Sequence, residues 1–268
     1  MPAMIALGTP IMHRNAIAFF AFVTLFAVAG CRSAAHCTYD HGALIRGDIT
    51  PKRIALVFTG GEHGEGTAAI LDTLQTTGVA ASFFLTGDYL AVPEYRPLVH
   101  RMLAEGHYVG PHSHAHPLYC PWDDRERTLI THDAFVADLQ QNIAEMRELG
   151  ALPPGEPVYF IPPYEWFNED QVRWSREIGV TLFNFTPGSG SNRDYIPEGE
   201  PGWRPSAQIR REILTFESTA EHGLNGFILL LHLGSQRADK MHAELPQLLR
   251  ELKRRGYNFA RIDKADWN

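Results

Sequence analysis

Gly106-His107-Tyr108-Val109-Gly110-Pro111-His112-Ser113-His114-Ala115-His116-Pro117 joins a short apolar run to three histidines spaced by two. Tyr108–Pro111 reads as a strand, and the histidines as the loop that leaves it. If the chain makes one helical turn after Pro111, His112 and His116 stand at i and i+4 on one face, close enough to share a cation, with His114 pointing elsewhere. Imidazole is the commonest protein ligand for a divalent metal near neutral pH, so the stretch reads as a metal site at a strand end. A histidine-rich polar loop without a metal is the plainer alternative.

On both sides of this stretch, short apolar runs alternate with helical periodicity. Ile54–Phe58, Val79–Leu85, Tyr108–Pro111, Val158–Ile161, Thr181–Phe185, Phe227–Leu231 and Asn258–Ile262 have the length and continuous apolarity of buried parallel strands. Helices are expected at Thr67–Thr77, Pro93–Glu105, Thr131–Gly150, around Asp170–Glu177, from Ser206 to about Glu221, and at Pro246–Arg255. A Gly/Pro/Ser-rich loop runs from Pro187 to Pro205. Alternation of this kind predicts an α/β fold, a seven-stranded parallel sheet covered by helices and either open or closed into a β/α barrel.

The 268 residues are 44% hydrophobic and 21% charged with a net charge of −7, enough chain for one large core. No basic run suggests nucleic acid, and the acidic balance argues against any polyanionic partner. Ahead of the rhythm, Ala16–Gly30 is an apolar run preceded by His13 and Arg14 and followed by Cys31. That length suits a signal peptide better than a membrane span. Val28-Ala29-Gly30-Cys31 resembles a bacterial lipobox, which predicts an exported protein of the cell envelope anchored in the membrane by a lipid on Cys31. The expected organisation is therefore signal peptide over 1–31, tether and lead-in over 32–50, and barrel over 51–268. In an oxidising compartment Cys37 and Cys120 could pair or remain two thiols; their spacing does not choose.

Polar residues gather at the C-terminal ends of the expected strands. Glu62 and His63 follow the first, His112–His116 the third, Tyr164 and Glu165 the fourth, Asn184 and Thr186 end the fifth, and His232 follows the sixth. In a β/α barrel these ends converge on the face where active sites are built, so the pattern points to an enzyme.

Here the residues carry a resemblance. His112-Ser113-x-x-His116 is similar to the H-[ST]-x-x-H metal motif of the polysaccharide deacetylase family, the NodB-homology enzymes of carbohydrate esterase family 4. Leu230-Leu231-His232 resembles its L-x-H motif, and Pro162-Pro163-Tyr164 the core of its R-x-P-Y motif. The resemblance spans about 52–263 and implies a distorted seven-stranded β/α barrel. Three features depart from the family pattern. The Asp-Asp pair after the first strand is replaced by Thr59-Gly60-Gly61-Glu62, the arginine of R-x-P-Y is Ile161, and the D-x-x-D-W segment has no clear counterpart. The three missing groups work as a unit in the family, so their joint loss avoids leaving an uncompensated arginine in the pocket. The chain is thus a divergent branch lacking the Asp-Asp motif.

The resemblance implies removal of acetyl groups, N- or O-linked, from an acetylated polysaccharide. A divalent ion, with zinc favoured, would be held by His112 and His116 and would activate water and polarise the carbonyl. Glu62 is the candidate third ligand or general base, the Tyr164 backbone N–H the oxyanion donor, and His232 the general acid. Pro163, Glu165, Trp166 and Asp194 are candidates for contact with the sugar, and Trp122, Trp166 and Trp203 for stacking on it. Two other readings compete: an inactive barrel that binds glycan, and a glycosidase using Glu62 and Glu165, which would leave the histidine pair without a role.

Overall fold

The computed structural model describes residues 37–264. The signal-peptide and lipobox readings, Cys31 included, lie outside the described residues. The fold is built around β3 (Arg53–Gly60), in which Ile54–Phe58 expose no surface. Such a run needs neighbours on both edges, and it has them. β8 (Phe227–His232) lies parallel along one edge from Ile54↔Phe227 to Thr59↔His232. The other edge is shared by β4 (Ser82–Leu85), opposite Val57–Gly60, and by β9 (Asn258–Phe259), opposite Arg53 and Ile54. β5 (Tyr108–Pro111) adds to β4 in register Ser82↔Tyr108.

β6 (Val158–Phe160) and β7 (Val180–Leu182) form a separate parallel pair. They join the main sheet at two seams. On one side Phe183 bridges Leu44, and the Asn184 N–H donates to Leu44 O at 2.9 Å. On the other, no ladder links β5 to β6; the Tyr159 N–H donates instead to Tyr108 Oη at 2.8 Å. A side-chain hydroxyl thus satisfies an amide that a neighbouring strand would otherwise hold. The result is the expected distorted β/α barrel, curled round but interrupted at that seam.

All seven expected strands occur, as β3 to β9. Two more lie where a tether was expected. β1 (Thr38–Asp40) and β2 (Ala43–Arg46) make an antiparallel hairpin, and Arg46 pairs with Phe227 of β8. Its two-residue loop, His41-Gly42, has φ of 45° and 84° at its successive residues, the left-handed pair that tight hairpins require. The segment 38–46 therefore belongs to the barrel. The helix expected over Pro93–Glu105 forms as a 3-10 turn (Pro93–Tyr95) leading into α3 (Arg96–Ala104), and a further short helix, α2 (Gly87–Ala91), precedes it.

The remaining helices are α1 (Thr67–Thr77), α4 (His132–Glu148), α5 (Glu169–Glu177), α6 (Ser206–Thr219) and α7 (Leu245–Arg254). α4 matters most to the site. It buries Phe135, Leu139, Ile143 and Met146 as one stripe, and its N-terminus is capped by the Thr131 hydroxyl accepting from Ala134 N–H. Asn142 is buried on the same side, where its Oδ1 accepts the His112 N–H at 3.1 Å. Cys120 is a buried free thiol 3.6 Å from Gln171 Oε1 and is not joined to Cys37.

Candidate active site

Six of the nine expected site residues, Glu62, His112, His116, Tyr164, Glu165 and His232, line one cleft of about 540 Å3 at the C-terminal ends of β3, β5 and β8. His112 and His116 turn their Nε2 atoms toward each other at 3.3 Å. The helical turn expected between them does not form: Ser113 and His116 have φ of 72° and 51°. A compact left-handed loop does the same work. The Asp138 carboxylate of α4 accepts from Ser113 Oγ at 2.6 Å, Ala115 N–H at 2.8 Å and His114 N–H at 3.1 Å, and Ser113 Oγ accepts the His116 N–H. His114 points away, as expected, against Glu145.

The ring chemistry is that of a ligand pair. His112 Nδ1 lies 2.8 Å from Ile161 O, which has only lone pairs to offer, so Nδ1 carries the proton and Nε2 of the neutral ring is an acceptor. Burial, and then the neighbouring His116, holds the His112 pKa well below its usual value. Burial likewise lowers His116, to about 4. Both rings are therefore neutral at physiological pH, the state a divalent cation needs. Among the described residues no group of three or more His, Cys, Asp or Glu side chains is arranged to hold a metal ion. The pair itself suits a divalent ion in spacing and charge, and His112 in tautomer as well.

The turn after β6 supplies the carboxylate beside the pair. Tyr164 and Glu165 are consecutive non-glycine residues at φ 57° and 52°. Such backbone costs energy and persists only when its surroundings enforce it. Here the Glu165 N–H donates to Pro162 O, the Trp166 N–H to Pro163 O, and Asn184 Nδ2 to Glu165 O at 2.8 Å. The reversal sends the two side chains opposite ways. Tyr164 is 46% exposed and lies over His116 with ring centres 4.4 Å apart; Glu165 turns inward, Oε1 3.9 Å from His112 Nε2. Burial raises the Glu165 pKa to about 7. Glu62, the carboxylate expected from sequence to face the histidines, lines the cleft at its rim with a side chain 72% exposed and 3.3 Å from His63.

His232 closes the opposite wall. Its Nδ1 is 2.7 Å from Asp194 Oδ1, and its N–H donates to Asp194 Oδ2 at 2.9 Å. Burial alone would lower the His232 pKa, but the charge and hydrogen bond of Asp194, with Glu165 adding to them, raise it above the usual value. This corrects the expected role of Asp194. Its side chain is 1% exposed, so it holds His232 and does not meet a sugar. No sequence motif marked it, because a 3-10 turn (Ser191–Tyr195) in the long loop carries it back to the end of β8.

Two other substrate-contact expectations change. The Trp166 indole is turned behind the cleft wall, its Nε1–H donating to Pro121 O with Arg125 stacked on the ring. Pro163 is buried in the turn and does not reach the cleft. Trp203 lies by Arg237. The aromatic faces that do border the cleft are Trp122, Tyr164 and Tyr195, exposed by 62%, 46% and 52%.

β3 carries no carboxylate at its C-terminal end, and at Gly60 a longer side chain would be crowded. A side chain begun at Gly60 would place its first carbon 2.7 Å from Leu233 Cδ1 and 3.0 Å from Tyr89 Cδ2. Thr59 is buried at the cleft, and its Oγ1 has no hydrogen-bond partner among the described residues.

Comparison with known proteins agrees with this architecture. Among curated relatives, the peptidoglycan-N-acetylglucosamine deacetylase PgdA of Listeria monocytogenes is 30% identical over 80% of this chain, which spans 39% of PgdA's length. The structure of Bacillus subtilis PdaA, a family 4 carbohydrate esterase, superposes with a TM-score of 0.64 at 24% identity, covering 83% of this chain and 84% of PdaA. BA3943 of Bacillus anthracis, a pseudoenzyme of the same esterase family, gives a TM-score of 0.64 at 18% identity over 84% of this chain and 68% of its own. At those identities the two structures attest the fold. The polysaccharide deacetylase sequence model matches residues 46–183, a stretch that holds His112, His116 and the Pro162-Pro163-Tyr164 turn. The chain belongs to the polysaccharide deacetylase family of carbohydrate esterases.

Proposed function

We propose that this chain is a divalent-metal-dependent hydrolase that removes acetyl groups, N- or O-linked, from an acetylated polysaccharide of the cell envelope, with peptidoglycan the first substrate to try. One observation carries the reading: a neutral histidine pair and an Asp194-backed His232 face each other across a single cleft. A barrel kept only for binding glycan has no use for that opposition. One observation favours such a barrel all the same, the absence of any carboxylate at the end of β3.

His112 and His116 would hold the ion through Nε2, zinc suiting imidazole ligands best. The bound ion would supply an activated water and a polarised acetyl carbonyl. Glu62, on the rim and open to solvent, would take the proton from the attacking water and pass it to bulk. His232, whose pKa Asp194 raises, would give a proton from Nε2 to the departing amine or alkoxide, because its Nδ1 is committed to the carboxylate. The Tyr164 backbone N–H is the candidate donor to the oxyanion, a role implied by the family resemblance. Trp122, Tyr164 and Tyr195 present faces on which sugar rings can stack.

Acetate release from acetylated peptidoglycan fragments and chito-oligosaccharides, with and without chelator, tests the reading. Release that chelation stops and zinc restores is expected. Glycan binding with no release from any acetylated sugar would leave the binding-only barrel standing.

A further inference from the structure

Three candidate ligand atoms meet in the cleft. His112 Nε2 and His116 Nε2 are 3.3 Å apart, and Glu165 Oε1 is 3.9 Å from His112 Nε2. The Nδ1–H bond to Ile161 O removes the one proton that His112 could have offered Glu165. No hydrogen bond reaches either carboxylate oxygen of Glu165 among the described residues, although the side chain is only 13% exposed. A desolvated acceptor without a donor is costly, and a desolvated carboxylate more so. A cation shared by the three atoms removes that cost at one stroke.

We infer that Glu165 is the third protein ligand of the divalent ion, completing a two-histidine, one-carboxylate set with His112 and His116; the inference rests on the metal-dependent reading above. The dimensions agree. Zinc bonds to nitrogen and oxygen are about 2.0–2.2 Å, so tetrahedral ligand atoms stand roughly 3.3–3.5 Å apart. The histidine pair already has that spacing. Glu165 needs to approach by about half an ångström on the same scale, within reach of a small side-chain rotation.

The backbone is arranged for the purpose. Two consecutive left-handed residues, tied by Pro162 O, Pro163 O and the Asn184 amide, aim one carboxylate inward. β3 itself carries no carboxylate, and Leu233 and Tyr89 crowd the space that a side chain on Gly60 would need. In this assignment the carboxylate ligand comes from the turn after β6 and not from the loop after β3. Glu62, mostly exposed and beside His63, is thereby left to act on water.

Metal binding by the chelated protein tests the assignment without recourse to activity. Wild type is titrated with Co2+, followed by its visible absorption, and with Zn2+, followed by calorimetry; one ion per chain is expected. Glu165→Gln should weaken both affinities by about a hundredfold or more and alter the cobalt spectrum, since even residues behind a metal's ligands cost ten- to a hundredfold when removed. Glu165→Asp, shorter by one methylene, should lose affinity with the metal-free melting temperature unchanged, and it serves should the glutamine variant not fold. Glu62→Gln should bind as wild type. Wild-type affinity and spectrum in both Glu165 variants would overturn the assignment while leaving metal dependence in place. A wild-type chain that takes up neither ion would instead overturn the metal-dependent reading, and this ligand with it.

Discussion

Glu62 and Glu65 lie three residues apart in one loop, yet their surroundings separate their roles. Glu65 accepts from Lys240 Nζ at 2.5 Å and from the Ser235 N–H at 3.0 Å; burial tends to raise its pKa, but these partners lower it overall. It fastens the loop after β3 to the loop after β8. Glu62→Gln should therefore reduce deacetylation by about a hundred- to ten-thousand-fold, the usual cost of a lost general base. Glu65→Gln should lower the melting temperature and leave far more activity, and equal rates for the two in an acetate-release assay would remove Glu62 from the mechanism. Asp194 sets a second test through pH. Its carboxylate raises the His232 pKa, so the acid stays protonated further into the alkaline range. In Asp194→Asn the alkaline limb of the kcat/KM profile should move to lower pH, with the acidic limb little changed; an unmoved alkaline limb would remove His232 as the acid. Gly60→Asp should not recover a strand-end carboxylate site. The added side chain meets Leu233 and Tyr89, and the expected result is lost stability with no gain in acetate release.

At the scale of elements, α4 holds the metal loop. Asp138 takes three hydrogen bonds from Ser113, His114 and Ala115, and Asn142 takes one from His112. Bonds to a charged group are worth about 1.5–3 kcal/mol each, and several share this carboxylate. Asp138→Ala should destabilise the fold by about 2–3 kcal/mol in denaturant titration, and should weaken Co2+ binding although Asp138 touches no metal. Unchanged cobalt affinity would mean that the loop holds its shape without the helix. The stripe that seats α4 was legible from the spacing of Phe135, Leu139, Ile143 and Met146, because burial repeats with the helical period. The left-handed loop at Ser113 and His116 was not. Its conformation is imposed by a carboxylate 22 to 25 residues further on, a partner that no local propensity encodes. The hairpin at 38–46 was readable in principle from His41-Gly42, where two left-handed residues in succession mark a tight turn.

At the scale of the whole molecule, the resemblance of Val28-Ala29-Gly30-Cys31 to a lipobox predicts a lipid anchor on Cys31. Cys31→Ser should release the protein from membrane fractions and abolish lipid labelling; unchanged membrane association would end that reading. Apolar runs and their helical partners, read in order, were enough to establish an α/β fold with seven parallel strands, because strand burial and helix period are local properties of the chain; the barrel was implied by the family resemblance. The same order placed His112, His116 and His232 at strand ends that share one face. Which carboxylates serve them was decided only by tertiary structure. Glu165 faces His112 because two residues of left-handed backbone reverse the chain after Pro163, and Asp194 faces His232 because a loop of unremarkable composition folds back across the sheet. Strand alternation gives the address of a residue, whereas side-chain direction in an irregular turn depends on hydrogen bonds to distant parts of the chain.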